Sequence, residues 1–221
     1  MKTELLLLDG QGVIFNRPLK TFLDTMAKAT GRSPELVRQL WHQELREPFW
    51  TGRIDEAMLW TRLTGGRVET DWARQLESLY RPGPAVARLP LWSAKVPVWV
   101  LSNHRTSWLL ERLRRFELDQ FLERVLVSDS LGFAKPDPRV FAAALDVCTH
   151  PERVLYVDDQ LANIQAARTV GFEAVLADPA DTWLSRIDEF IGIPGESPLD
   201  TRGSLRESKQ LRIGPPAPTQ K

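Results

Sequence analysis

Five polar residues of this chain are of types that can act together on a phosphoryl group: Asp9, Ser102, Lys135, Asp158 and Asp159. Each comes after a short apolar run. Leu5-Leu6-Leu7-Leu8 delivers Asp9, Val98-Trp99-Val100-Leu101 delivers Ser102 and Asn103, and Val154-Leu155-Tyr156-Val157 delivers Asp158-Asp159. The loop after Val125-Leu126-Val127 leads to Lys135-Pro136-Asp137-Pro138. Crowded carboxylates stay ionised only beside a cation, and hard oxygen ligands left open to water suit Mg²⁺. With that ion present, Asp9 remains an anion able to attack phosphorus, while Lys135 and the Ser102 hydroxyl hold the non-bridging oxygens. The chemistry this set supports is nucleophilic displacement through an acyl phosphate on Asp9.

Taken singly, each of these residues has a plainer use. Asp9 is also a turn residue, Asp158-Asp159 and Ser102-Asn103 are also helix caps, and Lys135 is also a surface lysine. Their shared position after apolar strands favours the site. His42 and His104 read as structural or exposed, since no other strand end offers them a triad partner, and Asp137 reads as a turn residue between prolines.

Four consecutive leucines bounded by Glu4 and by glycines make a strand buried on both faces, as in the middle of a parallel sheet. From Pro82 onward, apolar β-branched runs alternate with helical stretches at Thr106 to Arg115, Val140 to Val147 and Ala162 to Val170. Right-handed crossovers then predict an α/β fold, a doubly wound, Rossmann-like parallel sheet with all the polar ends on one edge. Between Arg17 and Arg81 only helical spacing is found. Leu19, Phe22, Leu23, Met26 and Ala27 share one face, and Ser33-Pro34-Glu35 opens a second helix bearing Leu36, Val37, Leu40 and Trp41. Asp55 and Thr70 are candidate caps of two more. The pattern divides the chain into a core of residues 1–16 and 82–194, an inserted helical cap of 17–81 and, lacking apolar periodicity, a disordered tail of 195–221.

The chain has 221 residues, 43% of them hydrophobic, with a formal net charge of zero and one cysteine, Cys148. That suffices for one sizeable core with an inserted subdomain. Nucleic acid and anionic membranes call for clustered Lys and Arg in excess, which is absent here. No apolar run approaches the roughly 20 residues that span a bilayer, and no signal peptide is evident, so a cytoplasmic setting is expected.

Asp9-Gly10-Gln11-Gly12-Val13, Leu101-Ser102-Asn103-His104, Lys135-Pro136-Asp137-Pro138 and Val157-Asp158-Asp159-Gln160-Leu161-Ala162-Asn163, in this order and spacing, resemble the four motifs of the haloacid dehalogenase superfamily. The helices after the first strand resemble that superfamily's cap. Phe49-Trp50-Thr51-Gly52-Arg53-Ile54 resembles a cap segment of its phosphatase branch, which includes the N-terminal domain of soluble epoxide hydrolase. The resemblance implies Asp9 as nucleophile and Mg²⁺ ligand, with the main-chain carbonyl of Gln11 as a further ligand. It implies Ser102 and Lys135 as phosphate partners, Asp158 and Asp159 as metal carriers with which of the two binds directly and which through water left open, and a small phosphorylated substrate.

Gln11 departs from the family pattern. The phosphatases carry an aspartate two residues after the nucleophile, which protonates the leaving group and then activates water. A glutamine amide donates a hydrogen bond but releases no proton at working pH. Loss of a placed acid or base costs about 10²- to 10⁴-fold in rate, or about 3 to 5 kcal/mol of barrier. Acyl phosphates, diphosphates and aryl phosphates should suffer least. Two alternatives follow: an impaired relative that binds a phosphorylated ligand or a protein partner, and a carbon-halogen hydrolase, since the family's dehalogenases also lack that aspartate. Asp158-Asp159 with Asn163 resembles the phosphatases' metal pattern and favours phosphorus.

Eight tryptophans are present, and Trp41, Trp50, Trp60 and Trp72 fall in the cap. Their plain use is to stabilise a small helical subdomain by burying large rings. The sharper expectation is that Trp50, with Phe49, faces the site and selects an apolar or aromatic substrate.

Overall fold

A computed structural model describes residues 4–66, 70–148, 151–193 and 211–214. After β1 (Glu4–Leu8) come α1 (Leu19–Ala29) and α2 (Pro34–Gln39), which passes through a π-helical turn (Leu40–Leu45) into α3 (Arg46–Trp50). Next are α4 (Glu56–Thr64), α5 (Trp72–Ser78) and α6 (Leu89–Ser93). The alternating part follows: β2 (Val98–Ser102), α7 (Thr106–Arg115), β3 (Arg124–Val127), α8 (Ser128–Leu131), α9 (Pro138–Asp146) and β4 (Arg153–Asp158). It continues with α10 (Leu161–Thr169), β5 (Glu173–Leu176), α11 (Trp183–Phe190) and β6 (Arg212–Ile213). Among the described residues no helix is long and apolar enough to cross a membrane.

The sheet is six-stranded and parallel throughout, in the order β5-β4-β1-β2-β3-β6. Because side chains alternate across a strand, Leu6 and Leu8 join one apolar cluster and Leu5 and Leu7 the other, which accounts for the unbroken leucine run. Leu8 lies level with Val100 on β2 and Val157 on β4, so the carboxyl ends of the three central strands finish side by side.

The helices inserted between β1 and β2 pack through their aromatic rings. Trp60 stacks on Trp108 of α7 at 5.9 Å and 9°, Phe22 meets Trp60 edge-on at 6.0 Å, and Trp41 meets Trp50 edge-on at 5.4 Å. Glu56 accepts from the indole N–H groups of both Trp60 and Trp108, at 3.2 and 3.1 Å. These rings thus hold the inserted helices to one another and to the sheet domain. Ser33 and Asp55 cap α2 and α4 as expected, accepting from Leu36 N and Met58 N. At α5 the cap is Asp71, not Thr70: its carboxylate accepts from Arg74 N at 2.9 Å. A carboxylate is the better partner for the exposed N–H groups and positive end of a helix.

The expectation of a disordered tail fails for residues 211–214, and the rest of 195–221 lies outside the described residues. Arg212 N donates to Glu123 O and Gly214 N to Val125 O, which covers the otherwise open edge of β3, and Arg124 Nη1 donates to Gly214 O at 2.8 Å. An unpaired strand edge accepts a partner through its backbone groups, so the pairing needs little from the side chains of the segment that docks.

The two chain segments that join the inserted helices to the sheet run together. Gly83 N donates to Ile14 O at 2.7 Å, Asn16 N donates to Arg81 O, and Arg81 N donates to the Asn16 side chain at 2.9 Å. A Cβ on Gly83 would lie 2.7 Å from Val13 O. Gly83→Ala should therefore lower stability by about 1 to 3 kcal/mol, the usual cost of an overpacked site, measured as a fall in the urea midpoint at unchanged slope.

Candidate active site

Lys135 reaches into the aligned strand ends. Its Nζ lies 2.7 Å from Asp9 Oδ1, 2.8 Å from Asp158 Oδ2, 2.8 Å from Leu101 O and 2.9 Å from Tyr156 Oη. The loop that carries it is clamped by Asn103, whose Nδ2 donates to Lys135 O while its Oδ1 accepts from Lys135 N, both at 2.8 Å. Asp9 follows β1 directly, its main-chain N–H bonded to Val157 O. Ser102 closes β2 and packs so tightly on Gly10 that a Cβ there would lie 2.8 Å from its Oγ. The structure thus brings Asp9, Ser102, Lys135 and Asp158 together, all of them buried.

The two neighbouring aspartates have different surroundings. Asp158 accepts from Lys135, Tyr156, Gln160 N at 2.7 Å and Asn163 Nδ2 at 2.9 and 3.0 Å. Burial opposes its charge, but Lys135 and these donors hold its carboxyl below the usual range. Asp159 has a side chain 1% exposed, paired with the Arg17 guanidinium at 2.7 Å, yet neither oxygen accepts a well-directed hydrogen bond. Burial pushes its carboxyl up, with Arg17 pulling the other way. Asp9 is pushed up to about 7, chiefly by burial, with Lys135 opposing and the other two aspartates adding repulsion. Burial would lower the Lys135 ammonium, but Asp158 and Asp9 hold it above its ordinary value.

One ligand atom from each of Asp9, Asp158 and Asp159 falls within 4.8 Å of the others. Gly12, at φ +86°, leaves the space beside Asp159 that a Cβ would fill, 2.1 Å from Oδ2. An enclosed carboxylate that accepts no directed hydrogen bond, beside two more, is a donor set that fits a hard divalent cation.

Gln11 Nε2 donates to Tyr80 Oη at 2.6 Å. Burial pushes the Tyr80 phenol up to about 12, so it stays protonated. Its ring lies 3.2 Å beneath the Arg112 guanidinium, whose Nε donates to Glu77 at 3.0 Å and whose Nη1 lies 3.2 Å from His104 Nε2. His104 is structural, as the sequence indicated: it is fully buried against Trp50, its N–H bonded to Ser128 Oγ. His42 is exposed, and Asp137 caps α9.

A cavity of about 270 Å³ opens over these groups. Asp9, Gln11, Ser102, Asn103, Lys135 and Gln160 line its sheet side, and Trp50 lies in its wall with Trp41, Leu19 and Leu23. Sequence reasoning missed Arg17, Tyr80 and Tyr156. Tyr156 carries a weak signal, as the one polar tip inside the apolar run of β4, whereas Arg17 and Tyr80 reach the site only through the fold.

The family model for haloacid dehalogenase-like hydrolases matches residues 23–171, more than half of the chain. The chain belongs to that family. It is 29% identical to (S)-2-haloacid dehalogenase 4A of Burkholderia cepacia over 167 residues, which is 67% of this chain and 72% of that protein. It is 25% identical to a phosphorylated carbohydrates phosphatase of Thermotoga maritima over 112 residues, 49% of this chain and 52% of that one. Its fold is similar to a haloacid dehalogenase family enzyme of Bacteroides thetaiotaomicron solved with magnesium and inorganic phosphate, at TM-score 0.68 and 20% identity, covering 83% of this chain and 98% of that one. This family member therefore has both phosphatase and dehalogenase relatives.

Burial, and then Arg112, hold the His104 imidazole well below its ordinary value of 6.5. The folded protein keeps it neutral while the unfolded chain takes up a proton, so its contribution to stability is full above that value and is lost as pH falls below it. The loss should run at up to about 1.4 kcal/mol per pH unit. Denaturant unfolding at pH 7.5 and 5.5 should show the native protein losing more stability than His104→Gln over that interval.

Proposed function

We propose that the protein is a Mg²⁺-dependent phosphohydrolase or phosphoryl-transfer enzyme that works through Asp9 on a small phosphorylated substrate with a good leaving group. The observation that carries this reading is the pairing of Lys135 with Asp9 and Asp158 beside an Asp159 whose enclosed carboxylate is met only by the Arg17 guanidinium. A dehalogenase attack on carbon has no use for a third buried carboxylate, whereas a cation site does. Asp9, Asp158, Asp159 and the Gln11 main-chain carbonyl would hold Mg²⁺. The bound ion would keep Asp9 ionised and offset charge on the phosphoryl oxygens.

In this reading Lys135 and Ser102 hold the non-bridging oxygens, and the Asp9 carboxylate attacks phosphorus in line with the departing oxygen. Asn103 positions Lys135 through the loop. Gln11 has no proton to give, so the leaving group departs as the anion. Water, oriented by a Gln11 amide fixed by Tyr80, then attacks the phosphorus of the acyl phosphate, the Asp9 carboxylate departs, and the water's proton passes to the released phosphate. The core of 1–16 and 82–194 carries the chemistry, and the cap of 17–81, with Trp50, closes over the substrate and excludes water.

The test is phosphate release with Mg²⁺ from acetyl phosphate and from a sugar phosphate, beside chloride release from 2-chloropropionate. The native protein should cleave acetyl phosphate, Asp9→Asn should fall to background, and Gln11→Asp should gain at least about 10²-fold on the sugar phosphate. Native protein and Gln11→Asp both folded and silent on both phosphates would overturn the reading. Chloride release dependent on Asp9 would then establish the dehalogenase alternative.

A further inference from the structure

The part of the cavity formed by the inserted helices carries positive charge that chemistry at Asp9 does not use. Arg38, His42 and Arg46 recur every four residues along the continuous run from α2 to α3, which places them on one face, and all three line the cavity together with Lys20 of α1. Some of the cavity's cations already have partners: Lys135 is held by Asp9 and Asp158, Arg17 by Asp159, and Arg38 by Asp24 and Glu35. Among the described residues, Lys20 and Arg46 have no ion pair or side-chain hydrogen bond, and Asp9 is the only carboxylate in the cavity lining. Nothing local draws these two cations together.

We propose that Lys20 and Arg46 form a second anion subsite, and that the substrate carries a phosphoryl group at one end and a further anionic group at the other. Leu19, Leu23, Trp41 and Trp50 lie in the same wall, so the spacer between the two charges is apolar or aromatic. The cavity volume of about 270 Å³ limits that substrate to a small molecule. Two cations on one cavity wall attract an anionic group by charge, which makes the subsite selective for charge over shape. The inference rests on the reading of Asp9 as the phosphoryl site.

The experiment compares 4-carboxyphenyl phosphate with its neutral isostere 4-carbamoylphenyl phosphate, in the presence of Mg²⁺. The native protein should favour the carboxylate at least about tenfold in kcat/KM, and Lys20→Gln with Arg46→Gln should bring the ratio to near one. Calorimetric binding of both compounds to Asp9→Asn gives the same comparison without turnover. A binding preference that is lost in the double variant, with no turnover of either compound, would uphold the subsite and remove the phosphohydrolase reading. A ratio near one in the native protein, no binding preference, or a preference that survives the double variant would each overturn the subsite.

Discussion

One buried ammonium organises the sheet edge. Lys135 Nζ contacts Asp9 beyond β1, Leu101 O in β2 and Tyr156 and Asp158 in β4, so a single charge ties together the ends of all three central strands. A cation this deep is tolerated only where its partners are present and well placed, because an unpaired buried charge costs several kcal/mol. The demand runs both ways. Asp9 and Asp158 are themselves buried, and without Lys135 their mutual repulsion would add to the burial that already raises Asp9.

The same edge is coupled to the inserted helices by two polar connections. In one, Gln11 reaches Tyr80, whose ring lies under Arg112, which joins Glu77 and His104. In the other, the Ser128 hydroxyl donates to Trp50 O and accepts from His104 N, while the Trp50 ring packs on His104 at 4.9 Å. His104 belongs to both, through its imidazole to Arg112 and through its main-chain N–H to Ser128. The cavity is therefore bounded by walls whose relative placement is set by hydrogen bonds as well as by apolar packing, and small shifts of the cap would be felt at Gln11.

The chain has relatives named as a haloacid dehalogenase and as a phosphatase, so family membership alone does not separate the two chemistries. The present site gathers three carboxylates. Asp158 is saturated by four donor groups, whereas Asp159 is enclosed, balanced by Arg17 and left without directed hydrogen bonds. Such a group is costly to keep unless something binds it. Gln11, an amide, has no proton to give a leaving group.

Much of this was legible in the residues alone. The apolar runs before Asp9, Ser102 and Asp158 establish a parallel sheet, and parallel strands put their carboxyl ends on one edge whatever the loops do, so convergence of these residues with Lys135 follows from local pattern and topology. The cap of α5 was placed one residue early, a matter of choosing between adjacent candidates. Other features depended on contacts distant in sequence. Residues 211–214 dock because β3 has an open edge, Arg17 meets Asp159 across the strand order, and Lys20 and Arg46 become neighbours of one cavity only when α1 and α3 pack. Periodicity and capping act over a few residues and are written in the chain, whereas pairing of charges and edges far apart is decided by how the helices and strands come to rest against one another.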